Sequence, residues 1–323
     1  MVSTCVALAV GGCQSGSAKS GSQTSSTRTA ASTSRPRIRR VGVATIGKLP
    51  APIQLPATAA LPDGSVLLMG GLDARATSSA NIVRVKADGS AAQVGSLPNP
   101  LHDAAGASAG RDATFIGGGN LGSSDAILRV APGGATMQIG RLPRAASDVS
   151  AAVVAGTTYV IGGYDGATGL SSIVAVDRRG RSRVVASLPR PLRYAAVAAV
   201  GGKVLIVGGT SGTAAQRSVL RFDPATHEVR QIAKLPTPLT HAGAAALDGQ
   251  LVLAGGRGDA LASQVRSVTS IDPTSGTQRR VATLPVALSD VGVAAARDGV
   301  IVAGGRDTRG TVHDSILRIA ARP

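Results

Sequence analysis

Past residue 37 the apolar positions fall in short runs, never long ones. Val66-Leu67-Leu68-Met69 and Val204-Leu205-Ile206-Val207 are continuously apolar. Runs of this length read as strands covered on both faces, and a membrane-crossing helix needs about 20 such residues. Ahead of these runs lie stretches rich in Ala and Gly, such as Ala242-Gly243-Ala244-Ala245-Ala246. The segment from residue 193 to 232 shows the whole unit. Arg193–Val200 predicts a first strand, and Gly201-Gly202 a tight turn. Lys203–Val207 predicts a second strand, ending at Gly208-Gly209. A polar loop leads to a third, Ser218–Phe222. Asp223-Pro224-Ala225-Thr226 then turns into a fourth, Glu228–Ile232. The turns between first and second strands recur as Asp63-Gly64, Gly201-Gly202, Asp248-Gly249 and Asp298-Gly299. These are residues that tolerate the positive φ of tight hairpins.

Two markers give this unit its period. Leu-Pro stands at 49–50, 97–98, 142–143, 188–189, 235–236 and 284–285, in steps of 45 to 49 residues. Gly-Gly stands at 70–71, 117–118, 162–163, 208–209, 255–256 and 304–305. Six four-stranded units of this length predict an all-β, six-bladed propeller over residues 37–321, whose period is near the roughly 50 residues of Kelch repeats. Small residues in the first strand let blades crowd around the axis. The last unit stops after its third strand, Ser315–Ile319, and an orphan strand, Ile38–Ile46, precedes the first. Pairing the two closes the ring and leaves no free sheet edge.

The Gly-Gly doublets, the Asp223-Pro224 and Asp272-Pro273 turns, and the Leu-Pro after each fourth strand resemble the Kelch-repeat propeller family over residues 38–320. The family's aromatic positions are depleted. Tyr159 is the one Tyr before a doublet, and the fourth strands carry Val or Ile where Trp is usual.

The N-terminus has a different character. Residues 1–13 end in Val10-Gly11-Gly12-Cys13, similar to a bacterial lipobox, which implies cleavage before Cys13 and acylation of its thiol. The apolar stretch ahead of it is short and has no basic residue before it, which places the true start upstream. Residues 14–36 are rich in Ser, Thr and Gly and are expected to form a disordered tether. The expected location is thus extracytoplasmic, on a bacterial membrane through the lipid anchor alone. Both cysteines, Cys5 and Cys13, lie in this segment, so the propeller has no disulfide and no thiolate metal site. The net charge is +16, but Arg far exceeds Lys and Glu228 is the only Glu. That bias reads as genome composition more than as a polyanion site.

The loops joining fourth to first strands share one propeller face with the loops after Gly-Gly. Five residues after each Leu-Pro, the column reads Leu55, Asp103, Asp148, Tyr194, His241, Asp290. The preceding column contains His102 and Arg193. The candidate ligand-binding set is therefore His102, Asp103, Asp148, Arg193, Tyr194, His241 and Asp290, placed on a solvent-facing rim. A third column, two residues after Gly-Gly, includes Asp73, Asp165 and Asp307 and is expected to serve local turns. No nucleophile elbow, phosphate loop or zinc spacing occurs, so no catalytic residue, cofactor or metal is assigned. Nucleic-acid binding lacks stacking aromatics. The expectation is a monomeric binding or scaffold module for a glycan, cell-wall polymer or protein. The alternative is a carbohydrate-active enzyme, since galactose oxidase and sialic acid mutarotase use Kelch-like propellers.

Overall fold

The structure, a computed structural model, describes residues 41–321. The expectations for Cys13 and the tether lie outside those residues. The described chain folds into six antiparallel sheets of strands a to d, with no helix among the described residues. Blades 1 to 5 run in chain order, opening with strand a at Ala57–Ala60, His102–Ser108, Ser150–Val154, Ala196–Val200 and Gly243–Leu247. Blade 6 holds Gly292–Ala296, Gly299–Ala303 and Ser315–Ala321, and its fourth strand is Val41–Lys48 from the other end of the chain. The register runs from Val41 opposite Ala321 to Lys48 opposite Ser315. The predicted closure is therefore present.

Blade 4 departs from the others. Its strand a starts at Ala196 rather than Arg193, which makes an isolated bridge to Thr210. Strand c extends back to Ala214, and strand d runs from Val229 to Leu239, through Pro236 and Pro238. A two-residue strand, Thr210–Ser211, pairs with the start of strand c.

Burial follows the short apolar runs. Each pair of neighbouring blades encloses one apolar cluster, and the sixth cluster joins blade 6 to blade 1. Between blades 3 and 4, Ile161 and Ile173 meet Val204, Ile206 and Phe222, and the Tyr159 ring meets Phe222 edge-on at 5.2 Å. A fully buried Val, Ile or Phe contributes about 1.5–3 kcal/mol. Strand b is buried on both sides because a blade covers each face, hence its continuous apolar run.

The doublets pin each blade to the next. The second glycine's N–H donates to a carbonyl in the segment entering the next blade. Gly163 N reaches Leu192 O at 2.8 Å, and the same bond joins Gly71 to Leu101, Gly118 to Ala146, Gly209 to Leu239, Gly256 to Leu288 and Gly305 to Ile53. The a–b turns are less uniform. Gly201-Gly202 and Asp248-Gly249 take positive φ at both positions, whereas at Asp63-Gly64 and Asp298-Gly299 only the glycine does.

Candidate functional site: a collar at the axial mouth

The column Leu55, Asp103, Asp148, Tyr194, His241 and Asp290 proves to share a backbone state. All six have φ between 53° and 62°, in the left-handed region. None is glycine, although such a φ costs a bulky residue about 1–3 kcal/mol. Backbone bonds link five of them, from Asp148 to Leu55, around the axis. Tyr194 N donates to Asp148 O at 3.1 Å, His241 N to Tyr194 O at 3.3 Å, Asp290 N to His241 O at 2.9 Å and Leu55 N to Asp290 O at 2.8 Å. The result is a collar around the axial mouth. Its side chains line a cavity of about 140 Å³, walled deeper down by strand a residues such as Thr58, Gly106, Ser150 and Gly243.

This placement corrects the expectation of a solvent-facing rim. Asp148 and Asp290 are buried, at 4% and 8% exposure, because the collar turns its side chains inward over the axis. The Asp103 and His241 side chains are only 7% and 8% exposed. Arg193 and His102 are partly buried beside them. Of the predicted residues, Asp103, Asp148, Tyr194, His241 and Asp290 line the one cavity. Arg193 joins them through Asp148, and His102 stands at its edge near Asp103.

The contacts fix the chemistry. Arg193 Nε donates to Asp148 Oδ2 at 2.5 Å, and its guanidinium lies 4.3 Å over the Tyr164 ring. Burial pulls the Arg193 pKa down, but the charge and hydrogen bond of Asp148 outweigh it and hold the guanidinium charged. The Tyr194 hydroxyl crosses from blade 4 to donate to Asp103 Oδ2 at 3.2 Å. Its ring stacks on His241, centroids 3.9 Å apart. Burial, then the Asp103 and Asp148 charges, push the phenol far up, so it stays a neutral donor.

Burial, with the charges of Arg257 and Arg193, pulls His241 down to about 3. The ring is neutral at pH 7. Arg257 can only donate, so His241 Nε2, 3.3 Å from Nη2, must accept. Nδ1 then carries the proton, toward Thr240 Oγ1 at 3.0 Å. Burial raises Asp103 well above the usual carboxylate range, aided by the Asp148 and Asp290 charges. Burial also raises Asp290, against the Ser289 hydrogen bond and the charges of Arg257 and Arg306.

Arg257, Arg306 and Tyr164 were not among the predicted residues. They sit one place after the doublets and bridge the d–a segments at Thr240, Ser289 and Ser147. The signal was the column beside the one chosen. The chosen column serves turns, as expected. Asp73 Oδ1 accepts from Arg75 N and Thr77 N, and Asp165 and Asp307 repeat the arrangement. His227 packs near Phe222 and His313 meets Asp307, both away from the collar. Among the described residues no group of three or more His, Cys, Asp or Glu is placed to hold a metal ion.

A groove of about 250 Å³ opens on the opposite face, between blades 2 and 3, near Arg111, Arg129 and Arg178. Arg129 stands 4.0 Å from Asp112 and donates to Arg178 O. Asp177 is taken up by Arg181 and the turn amides.

A closed ring of six four-stranded blades with inward-turned polar loops at one mouth defines a β-propeller with an axial site. The Kelch motif model matches residues 145–188 and 191–236, which span blades 3 and 4. With the six-bladed ring, these matches make the chain a Kelch-repeat propeller. The solved structure of YjhT is similar to it, with a TM-score of 0.71 and 14% identity over 85% of this chain and 99% of that one. At that identity the likeness speaks for the fold. No curated protein matches the sequence.

Proposed function

We propose that this propeller is an extracytoplasmic binding module that recognises a glycan, or the glycan part of a cell-wall polymer, at the axial mouth of its d–a/b–c face. One observation carries the reading. Six non-glycine residues hold a left-handed backbone that turns Asp103, Asp148, Tyr194, His241 and Asp290 onto one cavity. Backbone strain of this kind is kept where side chains are used. Carboxyl, phenol and imidazole groups on a rigid ring suit the donors and acceptors of a sugar. A screen of glycans and cell-wall polymers against the protein tests it. The expected result is a hit that Tyr194→Ala weakens at least about tenfold, as loss of a central aromatic anchor does. Absence of any hit would remove the glycan reading.

A second reading, a carbohydrate-active enzyme of the mutarotase kind, is favoured by one feature. Burial holds a raised carboxyl, Asp103, and a neutral imidazole, His241, in one cavity, and these are residue types that acid–base chemistry on a sugar uses. The galactose oxidase kind is less well served, since Tyr159 is buried between blades 3 and 4 and only Tyr164 and Tyr194 reach this face. Turnover of an anomeric mixture, followed by NMR, separates catalysis from binding alone. The proposed location rests on the resemblance of Val10-Gly11-Gly12-Cys13 to a lipobox. Expressed from its native gene, the Cys13→Ala variant should move from the membrane fraction to the soluble one, and equal membrane association in the variant counts against the anchor.

A further inference from the structure

Three buried aspartates face the axial mouth, and two of them have compensation. Asp148 has the Arg193 guanidinium at 2.5 Å. Asp290 Oδ2 accepts from Ser289 Oγ at 2.5 Å and feels the charges of Arg257 and Arg306. Asp103 has no cation of its own. Its Oδ2 accepts from Tyr194 and lies 3.6 Å from His102 Nε2. Its Oδ1 is buried and has no hydrogen-bond partner. Asp148, from the neighbouring blade, lines the same cavity, and its charge bears on Asp103.

An ionised carboxylate in this position is costly on every count. It would be out of water, beside a second carboxylate, with one oxygen unsatisfied. A proton on Asp103 removes the charge that burial and Asp148 both oppose, and gives the unsatisfied oxygen a hydrogen to donate. The surroundings supply no competing charge. Burial lowers the His102 pKa despite the Asp148 charge, so this imidazole is neutral at pH 7. His241 is neutral too, and the Tyr194 phenol keeps its proton. Asp290 faces the pair from the far side of the collar with its own arginines.

We propose that Asp103 and Asp148 form an acid pair that holds one proton between them at neutral pH, and that this pair, with Arg193 beside it, leaves the axial cavity fitted to a neutral sugar. The ligand class follows from charge. With the proton on Asp103, Asp148 and Arg193 cancel, and the collar across blades 2 to 4 carries no net charge. A neutral polyhydroxylated ligand meets donors and acceptors there without leaving a charge unpaired. An anionic sugar would set its carboxylate against Asp148. This ligand assignment rests on the glycan reading above, whereas the acid pair does not.

The carboxyl carbons of a protein carrying ¹³C-labelled aspartate decide the pair, with Asp103→Asn giving the assignment. One carbon should remain in its protonated position at pH 6, well above the ordinary value of about 3.9, and should vanish in Asp103→Asn. In Asp148→Asn the Asp103 titration should move down by at least about one pH unit, since a neighbouring carboxylate has been removed. Ordinary titration of every aspartate in the wild-type protein overturns the pair. An unmoved Asp103 in Asp148→Asn overturns the sharing. Galactose and galacturonate serve as the neutral and anionic probes. Galactose should bind more tightly by at least about tenfold. A preference for galacturonate, or binding of neither, overturns the ligand assignment, while the carbon titration still decides the pair on its own.

Discussion

At Gly162 a β-carbon would stand 2.2 Å from the Leu192 carbonyl oxygen, and the backbone φ is +59°. Neither can relax, since Leu192 O is the acceptor that ties blade 3 to the next segment. Gly162→Ala should therefore destabilise the propeller by at least about 2 kcal/mol in urea unfolding, combining left-handed strain with a clash. Gly110→Ala, which meets open space, should stay within about 0.5 kcal/mol of wild type. Equal effects would mean that the doublet is not a staple. His241 gives a second outcome at this scale. Its pKa is about 3 in the fold and about 6.5 unfolded. The unfolded chain takes up a proton that the folded one refuses, so stability is full above pH 6.5 and falls as pH drops toward 3. This one residue should cost about 2 kcal/mol between pH 7 and pH 5. Asp103 and Asp290, raised in the fold, act in the opposite direction, losing stability as pH rises above the ordinary carboxylate value. The difference between wild type and His241→Gln should thus shrink on acidification, and parallel pH profiles would contradict a buried neutral imidazole. The doublets and the polar column were both legible in the sequence, but their roles were not equally so. Gly-Gly announces positive φ by its composition. Leu55, Asp103, Asp148, Tyr194, His241 and Asp290 share one backbone state with four side-chain types, and nothing in their identities declares it.

Strand pairing sets the next scale. The orphan strand and the missing fourth strand could be matched from sequence because each is defined by the period, and the pairing of Val41–Lys48 with Ser315–Ala321 follows. Strand ends were less legible. In blade 4, Pro236 and Pro238 would normally stop a strand, yet strand d runs on to Leu239, which pairs with Gln216 at the sheet edge. Closure has an energetic consequence. Val41 is buried in the cluster between blades 5 and 6, and without its strand Ser315–Ala321 would present a free edge. Deleting residues 41–48 should lower the melting temperature by more than about 10 °C, since several kcal/mol are lost. A synthetic peptide of residues 38–48 added in trans should recover part of the loss by pairing as an added strand. An unchanged melting curve after deletion would show that the ring holds without its closing strand.

At the scale of the molecule, the two faces of the ring differ in how their polar groups are arranged. On the d–a/b–c face they turn inward, are buried, and bond across blades, as Tyr194 does to Asp103 and Arg193 to Asp148. On the opposite face the charged side chains pair within one blade, as Lys203 does with Asp223 at 2.6 Å and Arg181 with Asp177 at 2.6 Å, and a bond between blades there runs from Arg129 to a backbone carbonyl, Arg178 O. Local pairs at a turn hold that turn, whereas cross-blade pairs around a cavity hold a shape. Function is therefore expected on the first face, and a comparison of three variants with wild type tests the assignment. Arg193→Ala alone leaves Asp148 buried without its cation, which should cost about 3–5 kcal/mol. Arg193→Ala with Asp148→Ala removes both charges and should be the more stable of the two variants, because an absent pair costs less than a broken one. The double variant should still bind the screened glycan at least about tenfold more weakly, since it loses the guanidinium and a carboxyl at the mouth. Arg178→Ala with Arg179→Ala changes two exposed residues of a c–d turn. It should leave affinity and stability within about 0.5 kcal/mol of wild type. Calorimetric titration beside urea unfolding reads both quantities on all four proteins. If the c–d variant weakens binding more than the Arg193 and Asp148 pair, the ligand sits on the opposite face, and the groove beside Arg111 and Arg129 becomes the site to pursue.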